Sequence, residues 1–154
     1  MINVTILAFG SIKNKSISTL VSDYQARIVP FGKVKIEELS AEKFTATNHD
    51  QVKALEERRL TQYLAKRTEA RIILLDERGS TPNSQDFAKL VAQEVKPIIF
   101  VIGASLGFSD FIKAKFREHI SLSCLTLPHE LARLVLIEQL YRAITIDIQK
   151  PYHY

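Results

Sequence analysis

The chain has 154 residues, 46% of them hydrophobic and 25% charged, which suits one globular domain, 1–154, and excludes collagen-like, low-complexity and disordered classes. A formal net charge of +4 suits an anionic partner but is far from a polybasic tail. The single cysteine, Cys124, excludes an internal disulfide or a zinc cysteine set and points to a reducing compartment, the cytoplasm.

The opening MINVTILAFGSIKNK has too short an apolar run for a signal peptide and reads as a first strand. Ile2, Val4, Ile6 and Ala8 lie in that run, which ends at Gly10 before a loop with Lys13 and Lys15. A helix is predicted from near Ser16, with Ile17, Leu20, Val21, Tyr24 and Ile28 at helical spacing and Pro30 and Gly32 closing it. A second strand is predicted from Val34 to Leu39. Ser40 to His49 is polar and aperiodic, a loop, after which Asp50 is placed to cap a charged helix running to about Arg67. That helix has a narrow stripe of Leu55, Leu60 and Leu64, leaving Arg58, Arg59, Lys66 and Arg67 to solvent or RNA.

Strands are expected at Arg71 to Leu75 and Ile98 to Ile102, separated by a helix from Ser84 to Val95 capped by Asn83 or Ser84. A helix from Ser109 to Arg117, a strand from Ile120 to Ser123 and a strongly amphipathic helix from Pro128 to Ile144 complete the chain. The alternation predicts an α/β domain with a mainly parallel sheet, helices on both faces and ligands at the carboxyl ends of the strands. No segment approaches the roughly 20 apolar residues of a membrane span.

Three loops follow strands in the second half: Asp76 to Gly79, Gly103 to Gly107, and Ser123 to His129. Their positions favour one shared pocket. Gly103 and Gly107 match neither the dinucleotide GxGxxG nor the phosphate-binding GxxxxGK[ST], so spacing alone leaves turn glycines and ligand approach both open.

Four segments, LLDERGSTPNSQDFA, VIGASLGFS, SLSCLTLPHELARLVLIEQLYRA and the terminal PYHY, resemble in order and spacing the large-subunit ribosomal RNA methyltransferase H family. The resemblance spans essentially the whole chain, and LTLPHELAR followed by EQLYRA and PYH is its specific part. It implies a SPOUT-class methyltransferase with a C-terminal trefoil knot, working as a homodimer on N3 of a pseudouridine in large-subunit rRNA or the ribosome. The implied cofactor is S-adenosylmethionine, held by Leu75, Gly103, Leu122, Ser123, Cys124, Leu125, Thr126 and Leu127, with no metal and no membrane partner. Ala104, where the family commonly has a second glycine, and Tyr154, where it has a basic residue, depart from the family pattern.

With that cofactor the leucines would wall the pocket, loop main-chain groups would hydrogen-bond the adenine edge, and Cys124 would be a small wall residue. The acceptor imide must lose its proton, and the candidates are His129, Arg142, Tyr152 and His153. His153 would take a proton, Arg142 would hold a carbonyl or phosphate oxygen, and Tyr152 would stack on the base. His129 also reads as a hydrogen-bonding member of the cofactor loop, and Arg142 as the ion-pair partner of Glu138 four residues earlier. Glu138 and Arg142 point away from His129, so one protomer does not bring all three to one ligand. A non-catalytic RNA-binding protein of the same fold, or a methyltransferase for another RNA, is the alternative.

Overall fold

The computed structural model describes residues 1–152. A five-stranded sheet forms the middle layer: β1 (Ile2–Phe9), β2 (Gly32–Leu39), β3 (Arg71–Ser80), β4 (Ile98–Ile102) and β5 (His119–Ile120), in the order β2-β1-β4-β3-β5. Every pairing is parallel. Parallel sheets covered on both faces need strands that are apolar throughout, and β4, Ile-Ile-Phe-Val-Ile, is buried at all five positions.

Alternate side chains of the central strands go to opposite layers. Val4, Ile6, Ala8, Ile73 and Phe100 join a core with α1 (Lys15–Ile28), α3 (Ser84–Ala92) and α5 (His129–Asp147). Leu7, Phe9, Leu74, Ile99 and Val101 meet α2 (His49–Ala65) and α4 (Asp110–Lys115) through Leu60, Leu64 and Ile112. The expected helices on both faces are present.

Capping explains several boundaries. Asn14 accepts from the amides of Ser16 and Ile17 to start α1, Asn83 from Asp86 to start α3, and Ser109 from Ile112 to start α4. Asp50 is not the cap of α2. That helix begins at His49, and the Asn48 side chain accepts instead from Thr45 within the preceding loop. Its buried stripe is Val52, Glu56, Leu60 and Leu64, whereas Leu55 is 44% exposed. Arg59 and Arg67 are not left to solvent: Arg59 bonds the Ser40 carbonyl and pairs with Glu42, and Arg67 bonds the Tyr63 carbonyl and pairs with Glu37.

α5 is buried around most of its circumference, with Ala132, Arg133, Leu136, Ile137, Leu140, Tyr141, Ala143, Ile144 and Thr145 inside. It is not the strongly amphipathic helix that the sequence suggests, because α1 and α3 flank it against the sheet. Arg133, fully buried, donates to the carbonyls of Phe9 and Gly10 at 3.0 and 2.7 Å and pairs with Glu38 at 2.9 Å. Glu130, one turn earlier, accepts from the amides of Lys13 and Asn14. One turn of α5 therefore fixes the end of β1 and the loop leading to α1.

Candidate active site

The third strand does not stop at Leu75. Leu75 is paired with Ile120, the chain bends through residues 76–79, and Ser80 is paired with Ile120 as well. The amide of Ser121 donates to the Ser80 carbonyl at 2.7 Å, and that of Leu74 to the Glu118 carbonyl at 2.9 Å. Residues 74–80 thus curl around the backbone of 118–121. Gly79 makes this possible, since a Cβ there would lie 2.7 Å from the backbone of Ile120. The expected free loop at Asp76 to Gly79 is therefore part of β3, and the strand expected at Ile120 to Ser123 shortens to His119–Ile120. Ser121 leaves the ladder because its hydroxyl donates to the Ser123 carbonyl, turning the chain into the 121–128 loop.

Where β3, β4 and β5 end, a cleft of about 830 Å³ opens between the curled 76–80 segment, the 103–107 loop and the 121–128 loop. Leu75, Leu122, Leu125 and Leu127 line it with Gly103, Ser123 and Thr126. The 103–107 turn is closed by the Gly107 amide donating to the Ala104 carbonyl at 2.8 Å. A Cβ at Gly103 would meet the Phe108 ring at 3.3 Å, so this backbone passes close to the cleft wall.

Two links cross the cleft rim. The Thr126 hydroxyl donates to Glu77 Oε2 at 2.9 Å. Lys113 Nζ of α4 lies 2.5 Å from Asp76 Oδ2. Burial alone would raise the Asp76 carboxyl, but the Lys113 ammonium and the Arg78 amide, both hydrogen-bonded to it, hold it below its ordinary value.

The sequence-predicted residues divide into two places. Seven of the eight expected cofactor residues line the cleft; Cys124 is exposed and is not among its lining residues. Cys124 lies between the lining residues Ser123 and Leu125, in the turn closed by the Leu125 amide donating to Ser123 Oγ. His129 also lines the cleft, at the first turn of α5.

Arg142 and Tyr152 lie elsewhere. Arg142 is thirteen residues further along α5, about 20 Å at the helical rise. Arg142 Nη2 contacts Glu138 Oε1 at 2.7 Å, the expected ion pair, which keeps the guanidinium protonated. Its guanidinium sits 5.3 Å from the Tyr152 ring centroid. The Tyr152 ring packs edge-on against Tyr141 at 4.8 Å, and its hydroxyl lies 3.1 Å from that of Tyr24. Burial first, then the hydrogen bond with Tyr24 and the Glu138 charge, pushes the Tyr152 phenol well above its ordinary value, so it stays protonated. His153 lies outside the described residues, as does Tyr154.

The sequence reading missed Lys53, Phe108 and Lys113, which also line the cleft. Lys53 is one of many charges on α2, and nothing in its local pattern marks it. Among the described residues no group of three or more His, Cys, Asp or Glu side chains could hold a metal ion, and no helix is long and apolar enough to cross a membrane.

Comparisons with known proteins bear on this architecture. The family model described as "Predicted SPOUT methyltransferase" matches residues 2–153. A ribosomal RNA large subunit methyltransferase H of Kosmotoga olearia is 38% identical over 99% of each chain. Its counterpart in Listeria monocytogenes serotype 4b is 36% identical over 98% of this chain and 99% of its own. The solved structure of "a probable methylase family protein from Haemophilus influenzae Rd KW20" shares the fold with a TM-score of 0.59 at 11% identity, covering 96% of this chain and 69% of that one. On the match across nearly its whole length, the chain belongs to the SPOUT methyltransferase family, among the ribosomal RNA large subunit methyltransferases H.

Proposed function

We propose that this protein transfers a methyl group from S-adenosylmethionine to N3 of a pseudouridine in large-subunit rRNA, as a cytoplasmic homodimer. The observation that carries the reading is the cleft formed where β3, β4 and β5 end together, in a chain with this family membership. Its volume is in the range of sites for ligands of this size. Its residues fit an adenosyl group and a sulfonium: leucine walls, a glycine in the lining, and serine and threonine among them. When bound, the cofactor supplies a methyl already activated on sulfur.

The chain's own residues have the remaining tasks. Leu75, Leu122, Leu125 and Leu127 exclude water, while main-chain groups at Gly103 and through the 122–127 loop, with Ser123 and Thr126, orient the adenosyl group. Electrophile and imide nitrogen must be held in line, and the acceptor proton must leave. His129 stands at the cleft to hold the base or the cofactor. Arg142, Tyr152 and His153 are proposed to act on the RNA base in the cleft of the partner protomer, since Arg142 lies far along α5 from the cleft of its own chain and Tyr152, beyond the helix, packs beside it. Protonated Tyr152 would stack, Arg142 would hold an oxygen, and His153 would accept the proton.

A two-fold contact along α5 is consistent with this division. Leu140, Tyr141 and Ile144 are in the chain's own core and are not free for such a contact. Leu131, Leu134 and Val135 remain exposed or half-buried on a stripe that continues to Glu138 and Arg142. We further propose that the curl of 74–80 around 118–121 belongs to a trefoil knot, a topology that ordinary chain-path rules exclude.

Calorimetric titration with S-adenosylmethionine tests the reading. One saturable site per chain is expected; no heat and no competition with S-adenosylhomocysteine would favour a non-catalytic RNA-binding role instead.

A further inference from the structure

Six side chains that line the cleft are ionisable: Lys53, Asp76, Glu77, Arg78, Lys113 and His129. Asp76 and Lys113 neutralise each other, and Glu77 accepts the Thr126 hydroxyl. Lys53 and Arg78 are different. Among the described residues neither forms an ion pair.

Among the described residues none of the carboxylates at helical spacing from Lys53 on α2, Asp50, Glu56 and Glu57, forms an ion pair with it. Glu57, four residues on and the natural helical partner, accepts the hydroxyl of Ser109. Glu56, three residues on, is buried and accepts the Glu42 amide at 3.2 Å. The half-buried Lys53 ammonium is therefore left to the cleft, beside the 103–107 loop. Arg78 is exposed on the curled end of β3; its own amide is spent on Asp76 Oδ1, but its guanidinium is free of carboxylate.

We propose that Lys53 and Arg78 are phosphate anchors, positioning residues that hold the RNA backbone on either side of the nucleotide entering the cleft. This rests on the rRNA reading above. Two unneutralised cations on separate elements, α2 and β3, at one cleft match a polyanion whose charges repeat along a strand. They match the methionyl end of the cofactor poorly, because its carboxylate sits beside its own ammonium. Lys113, though cationic, is removed from this role by Asp76.

The test is binding of a large-subunit rRNA transcript across a salt series by Lys53→Ala, Arg78→Ala and the double variant, with S-adenosylmethionine affinity measured alongside by calorimetry. Lys33→Ala, an exposed lysine on β2 outside the cleft, controls for lost net charge. Each cleft variant should weaken RNA binding about tenfold at moderate salt and lower the slope of log affinity against log salt by roughly 0.7 per lost contact. Cofactor affinity should stay within about twofold, Lys53→Arg should recover most of the RNA affinity, and Lys33→Ala should resemble the parent. Unchanged salt slopes, weakening that Lys33→Ala reproduces, or loss of cofactor affinity with RNA binding intact would each overturn the proposal. If the parent protein methylates rRNA while the variants bind it normally, only the anchors fail. If the parent neither methylates nor binds rRNA, the functional reading fails and the anchors with it.

Discussion

Gly103 and Asp76 show how much a single position decides at this cleft. A side chain at Gly103 must displace the Phe108 ring or enter the cleft. Gly103→Val is expected to lower S-adenosylmethionine affinity by about a hundredfold or more, roughly 3 kcal/mol, while leaving the chain folded. Normal affinity in calorimetry would remove this loop from the cofactor site. For Asp76 the sign of the pH effect follows from its lowered carboxyl. Its contribution to stability is full above the unfolded carboxylate value and fades as pH falls through the lower folded value. Asp76→Asn should therefore destabilise the protein at neutral pH and flatten the acid side of its stability profile; identical acid limbs in denaturant titrations would contradict the Lys113 pairing. At this scale the sequence was readable where a residue's need is local or carried by resemblance: Gly103, the leucines and His129 reach the cleft as expected. It was silent on Gly79, whose crowding comes from Ile120, some forty residues away. The exposure of Cys124 was not readable either, because its irregular loop is held by hydrogen bonds, such as the Leu125 amide to Ser123 Oγ, that have no period.

The elements were legible wherever burial has a regular period or a cap closes an end. β1 and β4 stand out as strands, and Asn83 starts its helix, because both signals are written within a few adjacent residues. Regularity misled at α5, where the sequence suggested one apolar face and the fold covers most of the helix. Arg133 is the reason a charge could sit there unnoticed: its guanidinium reaches the carbonyls of Phe9 and Gly10 and the carboxylate of Glu38, groups more than ninety residues away. Burial opposes its charge and pulls its pKa below the ordinary guanidinium value, with Glu38 pulling the other way. Arg133→Ala would leave the carbonyl oxygens of Phe9 and Gly10 without their donor at the junction of β1, β2 and α5, while Glu38, 40% exposed, turns to water. A loss of about 2 to 4 kcal/mol is expected in urea unfolding, from the two unpaired oxygens and the space left by the side chain. A loss under about 1 kcal/mol would mean that water replaces the guanidinium there.

For the whole molecule, the class of fold followed from strand and helix alternation, whereas the curl of 74–80 around 118–121 did not, since it is a long-range crossing with no local signature. Assembly is the property on which the proposed division of labour depends. Sedimentation at micromolar concentration should give a dimer, and a monomer would leave Arg142 and Tyr152 without a cleft to serve. Truncation after Lys150 removes Tyr152 and His153 and should abolish methylation with S-adenosylmethionine affinity nearly intact. Mixed with Gly103→Val, the truncated chain should regain up to about half the activity per heterodimer, because one intact tail then meets one intact loop. The most direct measurement is transfer of labelled methyl from S-adenosylmethionine to large-subunit rRNA isolated from cells lacking this protein, with the product nucleoside identified by mass spectrometry. Stoichiometric label at a single pseudouridine, as the N3-methyl derivative, is the predicted result. No label in rRNA from a protein that binds the cofactor, or label on a different base, would contradict it.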